Sequence, residues 1–136
     1  MKNFKFKVLD TKRRVEVDAG MFKINSLGEL NLLHPVSGVC YYIVDKKFKA
    51  VHFTGCYLYN EKKSENELYE GMIVRYFIEE DGIEYEDSTI KFVDGVFMYG
   101  NDESIKEMLC SPYNKNYDNK RSEIVGWDYD WVRKNC

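Results

Sequence analysis

The side chains from which a catalytic or metal site would have to be built are two histidines, four cysteines and a dense run of acids. Nucleophilic catalysis needs a serine, threonine or cysteine whose proton is taken by a nearby base. The histidines available for that role are His34, in a proline turn, and His52, on an alternating segment. Neither sits in a recognisable motif, and both read as structural or simply exposed. Cys110-Ser111 follows a predicted helix instead of starting one, so no helix dipole is there to lower the thiol pKa. The cysteines, Cys40, Cys56, Cys110 and Cys136, are spread out with no C-x-x-C pair, so neither a zinc site nor a redox motif is signalled. Free thiols in a reducing cytoplasm are the expectation.

Two charged segments have other chemistry within reach. Glu79, Glu80, Asp81, Glu84, Glu86 and Asp87 form an acidic run that suits a cation or mimicry of a phosphate track, but it lacks the D-x-D-x-D-G spacing of a calcium loop. Its simpler reading is a solvated hairpin tip whose charges discourage edge pairing. Tyr113, Lys115, Tyr117, Lys120 and Arg121 interleave aromatics with cations, a pattern suited to stacking on single strands. Asp118 and the overall negative charge favour an exposed loop instead. P-loop, dinucleotide and paired-carboxylate signatures are absent. No catalytic residue, cofactor or metal is therefore assigned. The acids 79–87, with Tyr113 and Tyr117, stand as candidate interaction residues.

The elements that must carry these residues are mostly strands. A content of 44% hydrophobic and 32% charged residues over 136 positions fits one folded domain, 1–136, and not a disordered chain. Eleven Tyr and eight Phe suit half-buried pleated strands and, alternatively, a tyrosine-rich contact surface. A net charge of −3 argues against a general nucleic-acid binder without excluding a local basic patch. The opening MKNFKFKVLD contains no apolar run long enough for a signal peptide or membrane span, so a cytoplasmic protein is expected.

FKFKV (4–8) alternates as a strand with one wet face; DTKRR turns it into VEV. MFKIN and ELNLL flank a Ser26-Leu27-Gly28 bend, with Leu30 and Leu32 on one side. VCYYIV reads as a strand buried on both faces, and FKAVHF as another alternating one. YNEKKSENE (59–67) reads as a solvated loop and MIVRYFI (72–78) as a strand. TIKFV-Asp94-Gly95-VFMY is a hairpin. NDESIKEML predicts one short helix near 102–109, and EIVGWDYDWV a closing strand anchored by Trp127 or Trp131. The fold class is mainly β, a folded-over sheet or barrel-like sandwich of short antiparallel strands with that one helix.

The central block HFTGCYLYNEKKSENELYEGMIVRY resembles the hallmark of the YopX-like family of phage and prophage proteins. That family shows an aromatic-Thr-Gly segment, a polar hairpin, then Tyr-Glu-Gly-Asp and an alternating strand. Phe53, Thr54 and Gly55 match the first part and Tyr69, Glu70 and Gly71 the second. KFVDGVF and SEIVGWDYD are similar to its later hairpin and closing strand, and FKFKVLDTKRR to its opening, with Leu9 where an aromatic is usual. Met72 stands in place of the usual Asp and Cys56 in place of a common Leu, and the linker between the two motifs is longer. The resemblance implies a mostly β fold, a phage origin and self-association. It implies no activity, cofactor or catalytic residue.

The functional expectation is a non-enzymatic phage accessory protein acting as a homo-oligomeric protein-binding module. An inhibitor of a host or defence protein, such as a nuclease, is the second reading and a nucleic-acid-binding accessory the third. Gly71 itself is expected to allow a bulge or a positive φ where a strand resumes.

Overall fold

The structure is a computed structural model that describes residues 5–25, 29–33, 36–37, 40–42, 46–77, 84–93, 95–99, 103–104 and 122–136. It is mainly β and antiparallel, with one sheet curled into a half-barrel and, among the described residues, one short α-helix. The chain forms two compact units, Met1–His52 with Tyr129–Cys136, and Phe53–Asp128.

In the first unit β1 (Phe6–Asp10) pairs with β2 (Val15–Val17) through a four-residue turn. The turn follows from Asp10: its carboxylate accepts from the Lys12 and Arg13 amides at 3.1 and 3.0 Å, and Arg14 closes it at φ 59°. These amides, Arg13 first, hold the Asp10 carboxyl below its ordinary pKa. Lys5 is exposed and Lys7 part-exposed while Val8 is buried, the one wet face expected over 4–8; beyond it Leu9 is also fully buried, so β1 is covered on both faces toward its end. A three-stranded sheet runs β3 (Phe22–Ile24), β4 (Leu30–Leu33), β5 (Cys40–Tyr42). On β4 it is Asn31 that is buried, while Leu32 is exposed. The Cys40–Tyr42 strand confirms the β assignment of VCYYIV; its side-chain burial lies outside the description. β6 (Phe48–Tyr57) pairs with β1 through its first half, from Asp10↔Phe48 to Phe6↔His52.

In the second unit the end of β6 pairs with β7 (Glu67–Tyr69). A five-stranded sheet follows in the order β11 (Glu103–Ser104), β10 (Val96–Tyr99), β9 (Tyr85–Val93), β8 (Met72–Phe77), β12 (Ser122–Trp127). Its core holds Leu68, Tyr69, Met72, Val74, Ile90 and Tyr99. The expected hairpin is present: Val93 pairs with Val96, and Gly95 between them has φ 80°; Asp94 lies outside the described residues.

Three expectations need correction. Glu103–Ser104, inside the predicted helix 102–109, is a strand paired with β10 at Tyr99 and Met98; the hydrogen-bonding edge of β10 outweighs a weak helix start. Residues 102 and 105–109 lie outside the described ones. The closing segment 123–132 is not one strand: β12 stops at Trp127 and α1 (Tyr129–Asn135) follows. Asp130 in the first turn and Arg133 and Lys134 in the last suit the helix dipole, and Val132 is buried. Arg14 bonds Asp130 at 3.1 Å and lies 6.0 Å from the Tyr129 ring, tying this short helix to the β1–β2 turn. Finally, 59–67 is not a solvated loop throughout, because Tyr59 and Glu67 at its ends are buried.

Candidate functional site

The motif residues form a junction. Phe53 pairs with Tyr69 and Tyr57 with Glu67, so β6 carries two more residues than β7 between the same two rungs. Gly55, at φ 81°, lies in that bulge, a conformation other residues resist. Thr54 supports it with its hydroxyl, which donates to the Leu68 carbonyl at 2.7 Å and accepts from the Cys56 amide at 3.2 Å. The Thr-Gly pair thus has a mechanical explanation.

Tyr-Glu-Gly has one too. Tyr69 is buried and meets the rings of Phe53 and Trp127 at 5.4 and 6.1 Å. Trp127 is therefore an anchor of the closing strand, as expected. Glu70 and Gly71 make the turn into β8, with Gly71 at φ 85°, the positive value expected of it. The Gly71 amide donates to the Ile90 carbonyl at 2.8 Å, and its carbonyl accepts from the Asp128 amide at 2.7 Å. Asp128 also accepts from the Thr89 hydroxyl at 2.5 Å. Met72 is buried, and its sulfur accepts from the Tyr69 amide at 3.4 Å. The six motif residues Phe53, Thr54, Gly55, Tyr69, Glu70 and Gly71 are brought together as a structural joint.

The acidic candidates are only partly described: Glu79, Glu80 and Asp81 lie outside the described residues, as do Tyr113 and Tyr117. Glu84 and Glu86 are exposed. Asp87 is not a free carboxylate. Arg75 grips it in a two-point contact at 2.9 and 3.2 Å, with the guanidinium 3.9 Å from the Tyr85 ring and 3.9 Å from Glu123. Glu123, Arg75 and Asp87 are direct neighbours across β12, β8 and β9. The Arg75 hydrogen bond holds the Asp87 carboxyl below its ordinary pKa, and Asp87 in turn raises that of Arg75. An uninterrupted acidic track is therefore broken at this point.

Among the described residues no group of three or more His, Cys, Asp or Glu is placed to hold a metal ion. Cys56 and Cys136 are half-buried, and neither is in a disulfide. No described helix is long and apolar enough to cross a membrane.

Sequence reasoning missed the surface at the β9–β10 hairpin. Phe92, Val93 and Val96 are 52%, 48% and 46% exposed. Phe92 pairs with Phe97, ring centroids 4.7 Å apart, and Val93 pairs with Val96. Successive residues point to opposite faces, so both faces of this hairpin end are apolar. The signal was in the sequence: Phe-Val-Asp-Gly-Val-Phe lacks the polar alternation of a hairpin with one face in water.

No protein-family model matches the chain, and no curated protein matches it. Among solved structures it is similar to the crystal structure of protein YopX from Bacillus subtilis, with a TM-score of 0.51 at 19% sequence identity, covering 96% of this chain and 95% of that one. The fold is accordingly that of a divergent YopX-like protein, the one implied by the Thr-Gly and Tyr-Glu-Gly segments.

Proposed function

We propose that this chain is a small phage accessory protein of the cytoplasm that works without catalysis, as a homo-oligomeric protein-binding module. The observation that carries this reading is the β9–β10 hairpin end, apolar and exposed on both faces. Exposed apolar clusters of this kind mark association surfaces. The phage setting rests on the YopX resemblance. A second copy is the occupant of the surface, because a hairpin end of Phe in tilted ring contact and paired Val is self-complementary in chemistry. Light scattering across a dilution series tests it. The wild type should exceed the monomer mass, and Phe92→Ser with Val96→Ser should return it to monomer with unchanged thermal stability. A strict monomer at high concentration would sink the reading.

A second reading has its own observation. The unit Phe53–Asp128 carries 17 Asp and Glu against 8 Lys and Arg, a net charge of −9. Such a surface fits an inhibitor that occupies the basic face of a nuclease. Glu84→Lys with Glu86→Lys should then abolish protection of a host or defence nuclease's substrate; full inhibition by that variant would remove this reading.

A further inference from the structure

The overall charge of −3 conceals a division. The unit formed by Met1–His52 and Tyr129–Cys136 has 12 Lys and Arg against 6 Asp and Glu, a net charge of +6. Part of this charge is gathered at one place. The β1–β2 turn holds Lys12, Arg13 and Arg14, and the turn into β6 holds Lys46 and Lys47. The two turns are joined: the Thr11 amide and the Thr11 hydroxyl both donate to the Lys47 carbonyl at 2.8 Å, and Asp10 pairs with Phe48 beside them.

Among the described residues, Asp10, Asp130 and Glu16 near these turns are already engaged. Asp10 is buried, taken up by two backbone amides, with Lys47 at 3.8 Å. Asp130 is held by Arg14, and Glu16 pairs with Lys7 at 3.4 Å. Among the described residues no ion pair occupies Lys12, Arg13, Lys46 or, one strand position beyond Phe48, Lys49. Lys12, Arg13 and Lys46 are exposed. Lys12, Arg13 and Lys46 on the two stitched turns, with Lys49 on the adjoining strand, repel one another, and an anion with several charges relieves that repulsion.

We propose that these joined turns bind the phosphate backbone of a nucleic acid, independently of sequence. A protein partner would require an apolar centre to its contact. The exposed, uncommitted side chains of the two turns, Lys12, Arg13 and Lys46, are all cationic, the chemistry of phosphate contacts. The low net charge weighed against nucleic acid in the sequence because the −9 unit masks this one. The site lies on the other unit from the β9–β10 hairpin and stands independently of the oligomer reading.

The test is fluorescence anisotropy of a labelled single strand and a labelled duplex, over about 20 to 200 mM salt. With four phosphate contacts the log–log salt slope should be about −4. The Lys12→Ala, Arg13→Ala, Lys46→Ala triple variant should reduce it to about −1 and weaken low-salt binding by about 100-fold or more. Lys62→Ala with Lys63→Ala, removing the same kind of charge from the other unit, should change nothing. Circular dichroism and the melting temperature check folding. If the triple variant does not fold, single Lys12→Ala and Lys46→Ala variants should each reduce the slope by about 1. Absence of binding at low salt, or an unchanged slope in the variants, overturns the proposal. So does equal competition by poly-glutamate, which would assign the patch to an acidic protein. A salt-sensitive dimer lost in the triple variant would assign it to a second copy and overturn the proposal likewise.

Discussion

Gly71 and Gly55 hold the two places where this chain needs a left-handed backbone inside a motif, at φ 85° and 81°. At Gly71 the turn is locked on both sides by backbone hydrogen bonds to Ile90 and from Asp128, so the conformation has no room to relax. Gly71→Val should therefore destabilise the protein by about 1 kcal/mol or more. An unchanged urea midpoint would refute the strain. Gly55 has nothing within 4 Å of where a Cβ would stand, so Gly55→Ala isolates the conformational cost, about 1 kcal/mol. Tyr99 gives a second residue-scale prediction. It is buried, its hydroxyl donates to the Val74 carbonyl at 3.1 Å, and burial pushes its pKa up to about 12. Between pH 10 and 12 the unfolded tyrosine has lost its proton while the folded one keeps it. Stability is thus fully present below pH 10 and falls as pH rises through that window, by roughly 2 kcal/mol from this group. Tyr99→Phe should flatten that alkaline fall in a comparison of urea midpoints, and parallel curves would count against it.

At the level of elements, β12 is held by a clasp. The Tyr59 hydroxyl donates to the Ser122 carbonyl and accepts from the Ser122 amide, both at 2.7 Å, with all three groups buried. Tyr59→Phe strands two backbone groups and should cost about 2 kcal/mol in a denaturant melt. Ser122→Ala should do the opposite, neutral to about 1 kcal/mol stabilising, because the buried Ser122 hydroxyl has no hydrogen-bond partner among the described residues. A loss in Ser122→Ala equal to that in Tyr59→Phe would mean that packing, not the clasp, holds the strand. The β-hairpins were legible from alternation and from Asp94-Gly95, because strand period and turn chemistry are local. The roles of Thr54 and Gly71 as a joint were half legible: the glycine's φ followed from its place before a strand, but its partners Ile90 and Asp128 are distant in sequence. Tyr59 was read as loop for the same reason, its partner being Ser122. The C-terminal helix left a readable trace, Asp130 early and Arg133-Lys134 late, which the apolar Trp127-x-x-x-Trp131-Val132 spacing disguised as strand.

Over the whole molecule, composition and patterning sufficed for the β class, since tyrosine-rich alternation leaves few alternatives. Charge did not reveal its arrangement, because a single net value of −3 is the sum of +6 and −9, and the division follows the chain boundaries at 53 and 128. Raising salt should therefore weaken the two charged surfaces separately while leaving an apolar contact at Phe92 and Val96 intact. Oligomers that survive high salt but not Phe92→Ser would show this. The position of β12 in the sheet has a consequence in time. β8 lies between β9 and β12, yet Ser122 is synthesised 45 residues after Phe77. At about 5 to 20 residues per second, β8 waits roughly 2 to 9 seconds on the ribosome with one edge open. During that interval Met72–Phe77 is an unprotected strand edge, the form in which nascent chains misassociate. The yield of this protein is thus set partly by the pace of translation through residues 78–127, before any question of what the finished fold binds.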